Sequence, residues 1–568
     1  MATLAILAAT LLGAGRAEAN LGGDWGLTLN ADFSATVEAV ETDPQGNIYI
    51  AGSFGGSITP GIGGPTLTTS SNLNNDVFIA KLSPTGQHIW SAHGVGSDTE
   101  YVSDIDVLPS GAVVVVGSTL SPTFGFGGTT NTNHGQIDGF GAYFSSTGTI
   151  GWQALWGGPA GDYATGVAFD TSSGTDAIVC GSFRGTVNFG NGNRTARGLD
   201  DWFLLDIKPW GAVEYDAIYG GPGSELYCAI DIADDGGVAF LGNTNGDVDM
   251  GNGTLTSAGS QDMVLARIPG VNATSATWSE RFGSSATDAG SSVVVEGDRA
   301  IYFTGSFRNT VDFGTGGLTS AGGSDGFIAA YKWVGVPVWS YRMGGNATDF
   351  SACIDLEGST LAIGGFFLGN ATFGPFSATA FDSAEDVFVA TLDTEGNWLD
   401  FGQGSGPTFD LGFQVAMSGT PIVVGSLNND LTFEDLTLTD STPASWGNGF
   451  VTKLIEVVSS SADEPALSHT DALQATPARP NPTRTGTSVS FRLPGANGTD
   501  AFGRSVRVSV HDITGRTLRV LSPELTRDSG VAHWDGRDRT GLAVPSGVYF
   551  LRVATSEGTT SVPVTIQR

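Results

Sequence analysis

A repeat of about 60 residues runs through most of the chain and limits the possible folds more than any other feature. An apolar segment ending in Gly-Ser or a close variant recurs seven times, in steps of 60 to 65 residues. Its glycines are Gly52, Gly117, Gly181, Gly242, Gly305, Gly365 and Gly425. This period is typical of a four-stranded β-propeller blade, which buries its faces against neighbouring blades.

A second marker opens another apolar segment in every repeat with Asp or Asn. These residues are Asp76, Asp138, Asp201, Asp262, Asp325, Asp386 and Asn448. Two positions after them stand Phe78, Phe140, Phe203, Val264, Phe327, Phe388 and Phe450. A group present in every blade serves the fold, so we expect the first set to cap the turn before the third strand. The second set should be buried between neighbouring sheets.

The third marker, a Trp-led strand, predicts how the ring closes. It occurs at Trp90, Trp152, Trp278, Trp339 and Trp398, with Glu214-Tyr215 in its place in the third repeat. The seventh repeat ends at residues 451–458 without this strand, whereas Trp25 lies near the start of the chain. An N-terminal strand paired into the last blade would remove an exposed sheet edge. We therefore predict a seven-bladed β-propeller closed by an N-terminal strand.

These markers resemble the bacterial β-propeller repeat family. Its extracellular blade reads roughly as a Gly-Asn-x-Tyr-x-x-Gly strand, a variable loop, Asp-aromatic-Val-Ala-Lys-Leu and a Trp strand. In the first blade, residues 47–52, residues 76–82 and Trp90 match that pattern. The resemblance covers residues 20–458, and it implies the fold and an exterior location but no defined chemistry.

The composition changes after the repeats. Residues 459–478 are polar, contain Pro and Ala, and lack strand periodicity, which is typical of a linker. Beyond them, short alternating segments predict an all-β sandwich over residues 479–568. These segments are residues 487–493, 506–513, 531–536, 547–555 and 561–567.

Four motifs in this tail carry a second resemblance. They are Asn481-Pro482 and residues 511–516, 534–538 and 546–550. They are similar to the Ig-like domain of flagellar hook-capping proteins and to the C-terminal sorting domains of type IX secretion cargo, between which one sequence does not choose. The resemblance implies a secretion address or a surface tether. Taken alone, the Asp and Gly residues of these motifs are turn formers between strands.

The N-terminus and the charge indicate an exported protein. Residues 4–15 are apolar but too short to span a bilayer, and Ala17-Glu18-Ala19 fits a signal-peptidase site, so we predict a signal peptide over residues 1–19. No later segment predicts a membrane helix. The net charge of -33 argues against nucleic acid as a partner. It fits solubility in a salty exterior or attraction of divalent cations and cationic surfaces.

Motifs that suggest chemistry have simpler explanations. Residues 322–326 read G-x-S-x-G, but a strand follows them where that motif requires a helix. Residues 243–249 alternate oxygen-bearing side chains but lack the closing Glu of a calcium loop. The propeller histidines His88, His93 and His134 are placed so that they would not share a metal. The cysteines Cys180, Cys228 and Cys353 are expected to be small buried residues.

Acids recur in the first strand of several repeats, at Glu41, Asp106, Asp231 and Asp355. First strands surround the central channel of a propeller. Two interpretations stay open: solvated acids near the channel or loop ends, or a cation or cationic ligand held at one mouth. We assign no catalytic, cofactor-binding or metal residue.

We predict a secreted or cell-surface, non-catalytic propeller that binds an unidentified protein or glycan through loops on one face. The sandwich would serve export or tethering through secretion or surface-anchoring machinery. One alternative is a structural surface or appendage protein that self-assembles. A second is a glycosidase- or lyase-type enzyme, because propellers can carry paired carboxylates at one mouth.

Overall fold

The computed structural model describes most of the repeat region and part of the tail. The described residues are 21–69, 74–172, 174–381, 384–434, 436–440, 447–456, 474–475, 487–492, 506–511, 517–521, 524–525, 529–537, 542–555 and 558–566. They form strands and turns, and within these ranges no helix is long and apolar enough to cross a membrane. The predicted signal peptide, residues 1–19, lies outside the described residues. Two compact units divide after residue 457.

The first unit is built from short strands, as the alternation of apolar segments and turn residues predicts. In chain order the strands are β1 Leu21–Leu29, β2 Ser34–Thr42, β3 Ile48–Gly55, β4 Ser57–Ile58, β5 Leu67–Thr68, β6 Asp76–Leu82, β7 His88–Val95, β8 Glu100–Val107, β9 Val113–Thr119, β10 Thr123–Phe126, β11 Asn131–Thr132, β12 Asp138–Phe144, β13 Ile150–Trp156, β14 Tyr163–Asp170, β15 Asp176–Asn188, β16 Asn193–Ile207, β17 Val213–Tyr219, β18 Glu225–Ile232, β19 Val238–Thr244 and β20 Val248–Asp249. They continue with β21 Thr254–Leu255, β22 Asp262–Ile268, β23 Trp278–Phe282, β24 Ala289–Glu296, β25 Ala300–Phe307, β26 Thr310–Asp312, β27 Gly317–Thr319, β28 Asp325–Lys332, β29 Pro337–Gly345, β30 Phe350–Glu357, β31 Thr360–Phe367, β32 Asn370–Phe373, β33 Phe376–Thr379, β34 Asp386–Asp393, β35 Trp398–Ser405, β36 Leu411–Met417, β37 Pro421–Leu427, β38 Leu431–Phe433, β39 Leu436–Leu438 and β40 Asn448–Glu456.

Seven antiparallel sets of four strands follow one another, and we call them sheets 1 to 7. Sheet 1 is β2, β3, β6 and β7; sheet 2 is β8, β9, β12 and β13; sheet 3 is β14 to β17; sheet 4 is β18, β19, β22 and β23; sheet 5 is β24, β25, β28 and β29; sheet 6 is β30, β31, β34 and β35; sheet 7 is β36, β37, β40 and β1. The first strands contact one another in order from β2 to β36, and β36 contacts β2. The remaining short strands form hairpins between second and third strands.

The two repeated markers, glycine and ring, are partners across neighbouring strands. Each marker glycine on a second strand pairs directly with the buried marker residue on the third strand. A Cβ on Gly117 would lie 2.0 Å from the Tyr101 carbonyl oxygen and 2.7 Å from the Phe140 ring. The position needs glycine because the first strand bulges toward it and the ring lies over it.

The expected burial between sheets is confirmed for these rings. Phe203 of sheet 3 shares a core cluster with Val114 and Val116 of sheet 2. Phe327 of sheet 5 packs in a cluster with Leu241 of sheet 4 in the same way. Neighbouring sheets therefore bury each other's faces, so the stability of each depends on the next.

Three tryptophans of the third marker, Trp90, Trp278 and Trp339, each link their sheet to the next one along the chain. The indole N–H of Trp90, in sheet 1, donates to the Ser146 carbonyl in the last turn of sheet 2, at 3.1 Å. Trp278 and Trp339 make the same contact with the sheets that follow them. Trp25 lies on β1, paired with β40, and donates to the Pro84 carbonyl of sheet 1 at 3.1 Å. Trp25 therefore joins sheet 7 to sheet 1 as its counterparts join consecutive sheets.

The repeated Asp residues cap turns, as predicted. Asp138 and Asp262 accept the backbone N–H of the residue four positions earlier at 2.8 and 2.7 Å. Asp201 and Asp325 make the same contact, and Asp386 accepts the N–H five positions earlier. These bonds close the loop before each third strand.

A second buried carboxylate stands beside each of six caps, which the sequence analysis missed. The six residues, at the start of sheets 2 to 7, are Glu100, Asp162, Glu225, Asp288, Asp349 and Asp410. Asp162 shows their role, because it accepts the N–H of Gly158 from the preceding connection and that of Arg184 from its own sheet. These acids therefore tie consecutive sheets together.

Burial is the main cause that raises the pKa of all six acids, and the neighbouring cap carboxylate adds to it. The pKa of Glu100 is raised to about 7, that of Asp349 to about 6 and that of Asp410 to about 8. The junction between sheets 7 and 1 carries no such pair, because the cap is Asn448 and Ala35 takes the place of the acid.

The second unit contains β41 Gln474–Ala475, β42 Thr487–Arg492, β43 Val506–His511, β44 Thr517–Leu521, β45 Glu524–Leu525, β46 Ser529–Trp534, β47 Gly547–Thr555 and β48 Gly558–Ile566. Its two antiparallel sheets run β41-β42-β46-β45 and β44-β43-β47-β48. One core cluster, including Phe491, Trp534 and Leu551, takes residues from both sheets.

The five segments predicted in the tail are all strands, displaced by a few residues at their ends. β41 lies inside the predicted linker, residues 459–478, and pairs with β42. Asn481-Pro482 and residues 512–516 lie outside the described residues. In the motifs that are described, the Trp534 indole donates to the Arg537 carbonyl and the Tyr549 hydroxyl to that of Pro545, which are turn contacts.

Candidate binding site

A concave pocket opens across sheets 2, 3 and 4, with a volume of about 500 Å³. Its lining comes from first and second strands, from the third strand of sheet 3 and from the loops beside them. The lining residues are Ser103, Ser118, Gln136, Ala160, Gly161, Tyr163, Thr165, Ser182, Arg184, Asp200, Leu226 and Tyr227. This volume is within the range of sites that hold small ligands.

Two tyrosines give the pocket exposed aromatic surface. Tyr163 is the first residue of β14 in sheet 3, Tyr227 lies near the start of β18 in sheet 4, and each residue is 40% exposed. The Tyr227 hydroxyl donates to the Ser291 carbonyl at 2.8 Å, which holds its ring in place. The Tyr163 ring lies beside Gly161, where a side chain would crowd it. The pocket therefore offers two accessible rings, one of them fixed by a hydrogen bond.

The charges in the pocket neutralise one another. Arg184 donates through Nε and Nη2 to the two oxygens of Asp200, at 2.8 and 2.7 Å. Asp200 also accepts from the Ser224 hydroxyl at 2.8 Å. The pKa of Arg184 is raised by this hydrogen bond and by the charge of Asp200. Such a bidentate pair is rigid and presents a polar surface without net charge.

Small polar side chains complete the lining. Ser103 and Thr165 are the extra residues at the β-bulges of β8 and β14. A bulge interrupts the alternation of side chains between the two faces of a strand, so these two side chains do not follow that alternation. Gln136, in the loop before β12, adds an amide that both donates and accepts. The pocket can therefore offer donors and acceptors around two aromatic faces.

Three of the four acids on the first strands accept a hydrogen bond from the backbone of the next sheet. Asp106 accepts the N–H of Phe169 from the next sheet at 2.6 Å, Asp231 that of Val295 at 2.7 Å and Asp355 that of Met417 at 2.6 Å. Burial is the main cause that raises the pKa of Asp231 to about 7 and that of Asp355 to about 6.

Glu41 differs from these three acids. Its carboxylate accepts the N–H of the adjacent Thr42. Burial and the negative charges of Asp355 and Asp106 raise the pKa of Glu41 well above its usual range. Among the residues that the structure describes, no group of three or more His, Cys, Asp or Glu side chains is arranged to hold a metal ion.

The histidines lie apart and serve local contacts. His93 bonds to the cap Asp76 at 2.7 Å and His134 to the cap Asp138 at 2.8 Å, whereas His88 bonds to Ser91. His93 is half-buried and lies on β7, the fourth strand of sheet 1.

The other motifs form ordinary turns and core. Ser324 of the G-x-S-x-G sequence is buried, and strand β28 begins at Asp325, as expected. In residues 243–249, Asp247 and Asp249 accept backbone N–H groups of their own hairpin. The three cysteines are buried free thiols, which confirms their interpretation as small core residues.

Sequence reasoning did not find the pocket. Its key residues differ from one repeat to the next, so they leave no periodic mark on the sequence. One signal was available, an extra acid directly before a cap residue. It occurs at Asp200, before the cap Asp201, and otherwise only at Glu385, before the cap Asp386. A charge added beside a repeated structural acid suggests a local function, which for Asp200 is the pair with Arg184.

No protein-family model matches the chain, and no curated protein matches it in sequence. Solved structures that match include the full extracellular region of plexin A4, at 8% identity and a TM-score of 0.36, over 94% of this chain and 67% of that one. A protein of unknown function from Bacteroides caccae matches at 10% identity and a TM-score of 0.21, over 47% of this chain and 89% of that one. PorZ, a surface component of the type IX secretion system of Porphyromonas gingivalis, matches at 10% identity and a TM-score of 0.14, over 96% of this chain and all of that one. Similarity this weak carries no argument, so both family resemblances stay predictions.

Proposed function

We propose that residues 20–458 form a closed seven-bladed β-propeller and residues 479–568 an Ig-like sandwich. The cyclic contacts of the first strands and the pairing of β1 with β40 support the closed ring. The repetition of the tryptophan contact at Trp25 supports it independently. Two sheets sharing one core support the sandwich.

The propeller acts as a secreted or cell-surface binding protein and not as an enzyme. The observation that carries this proposal is the pocket of about 500 Å³ on one face, with two exposed tyrosines, of which Tyr227 is held by its bond to Ser291. Asp200 is the one carboxylate among the lining residues, and its pairing with Arg184 suits recognition better than acid-base chemistry. A glycosidase would use two carboxylates across the scissile bond.

The binding function is tested with the mature full-length protein. Saturable binding by a monomer to a protein or a glycan on an extracellular array is the expected result. Concentration-dependent polymers in sedimentation velocity, without saturable binding, would favour the self-assembling appendage protein. Turnover of a polysaccharide that depends on two acids would favour the enzyme.

The tail serves export or tethering through secretion or surface-anchoring machinery. The division of the chain after residue 457 supports a tail that folds by itself. In the native host, a chain ending at Glu456 should fold but fail to reach or stay on the cell surface. Surface retention at the level of the full chain would contradict a role as an address.

A further inference from the structure

We infer that the pocket across sheets 2, 3 and 4 binds a neutral, hydroxyl-rich ligand, a short segment of an uncharged glycan. The inference rests on the proposed binding function and specifies the ligand class of the same site. Three properties of the pocket support it: the charge, the aromatic surface and the polar lining.

Charge excludes two ligand classes. An anionic ligand needs an uncompensated cation, but Arg184 is held by both oxygens of Asp200, and the chain as a whole carries a charge of -33. A cationic ligand needs a free carboxylate, and Asp200 is committed to Arg184 and Ser224. Burying a charge without a partner would cost several kcal/mol, so an uncharged ligand is favoured.

The aromatic surface requires a ligand with apolar faces. Tyr163 and Tyr227 are each 40% exposed, and the ring of Tyr227 is fixed by its bond to Ser291. A flat aromatic face packs well against the C–H face of a pyranose ring. Because the Tyr227 ring is held before binding, little of its side-chain entropy is lost when a ligand packs on it.

The polar lining requires a ligand that both donates and accepts hydrogen bonds. Ser103, Ser118 and Ser182 supply hydroxyls, and Gln136 supplies an amide. A peptide side chain would need larger apolar contacts than Ala160 and Leu226 provide. Sugar hydroxyls can donate and accept at the same positions, so a glycan satisfies the lining best.

The test uses the mature full-length protein and a panel of neutral and anionic oligosaccharides, with the best binders measured by calorimetry. We expect binding to neutral members, weakened about tenfold or more by Tyr163→Ala and by less for Tyr163→Phe, which keeps the ring. Gln136→Ala should also weaken binding. Tyr215→Ala is the matched control, because Tyr215 is 45% exposed on β17 outside the pocket lining, and it should leave affinity unchanged.

Each other outcome contradicts the inference in its own way. Absence of binding to every neutral member, or preference for anionic members, overturns the ligand class. Binding that Tyr163→Ala and Gln136→Ala leave unchanged overturns the site. If the protein instead binds a protein ligand and Tyr163→Ala abolishes that binding, the proposed function stands and the glycan inference fails.

Discussion

Replacing Asp410 by Asn should stabilise the protein at alkaline pH and have little effect in acid. Asp410 is fully buried at the junction of sheets 6 and 7, beside the cap Asp386. Its Oδ1 accepts the N–H of Asn428, whereas its Oδ2 has no donor among the described residues. An Asn side chain has the same shape, keeps one acceptor and offers an amide N–H to Asp386.

The expected magnitude follows from the titration of Asp410. Burial, reinforced by Asp386, raises the pKa of Asp410 from an ordinary 3.8 to about 8. A raised acid pKa means that the folded state holds a proton that the unfolded state releases. The stabilisation that comes from this bound proton is complete below about pH 4. It decreases as the pH rises and is lost once the pH has passed 8. Ionising Asp410 in the folded chain then costs on the order of 5 kcal/mol, a cost that the Asp410→Asn variant avoids.

The assay compares unfolding of the two proteins by urea or heat between pH 4 and pH 9. Asp410→Asn should match the wild type near pH 4 and exceed it by several kcal/mol, or on the order of 5 °C, at pH 9. Asp32→Asn, which removes an exposed charge, serves as the control and should change little at either pH. A stability difference that is the same at pH 4 and pH 9, or a variant less stable at pH 9, would refute the reasoning.

Three further predictions address packing and closure, each measured by equilibrium unfolding. Phe203→Ala should cost about 3 to 5 kcal/mol through lost burial and a cavity, and a loss below about 1 kcal/mol would mean that the ring is not between sheets. Gly117→Ala should cost more than about 2 kcal/mol because the added methyl would meet backbone at 2.0 Å, whereas Gly270→Ala, with its nearest atom at 3.5 Å, should be almost neutral. Deleting residues 20–35 should sharply lower the melting temperature because it removes β1 from sheet 7, and an unchanged value would contradict closure through Trp25.

The repeat predicted the parts of the fold that every sheet shares. A glycine and a buried apolar residue that must meet across two strands recur in every repeat, 22 to 26 residues apart, because their contact is the same in each sheet. Trp25 was placed correctly because an unpaired edge has to be covered.

The junction acids were missed although they also repeat. Their distance from the marker glycine varies between 15 and 19 residues, because the lengths of the turns and bulges vary. The position is also filled by either Asp or Glu, so no single residue type repeats there. The pocket was missed for a different reason. Gln136, Arg184 and Tyr227 come to line one pocket only when three sheets are folded side by side, and an arrangement made once leaves no periodic signal.

The first strands of sheets 2 to 6 alternate in the side chain that they give to the next sheet, and this limits how the repeats can be exchanged. Sheets 2, 4 and 6 give a carboxylate to the backbone of the sheet that follows. The intervening junctions use hydroxyls, as Thr165 does between sheets 3 and 4 and Ser292 does between sheets 5 and 6. Replacing one of these repeats by a copy of its neighbour would place two carboxylates or two hydroxyls in succession, whereas a copy of the repeat two positions away would preserve the alternation. Sheet 1 stands outside the series, because its acid, Glu41, accepts the N–H of the adjacent Thr42.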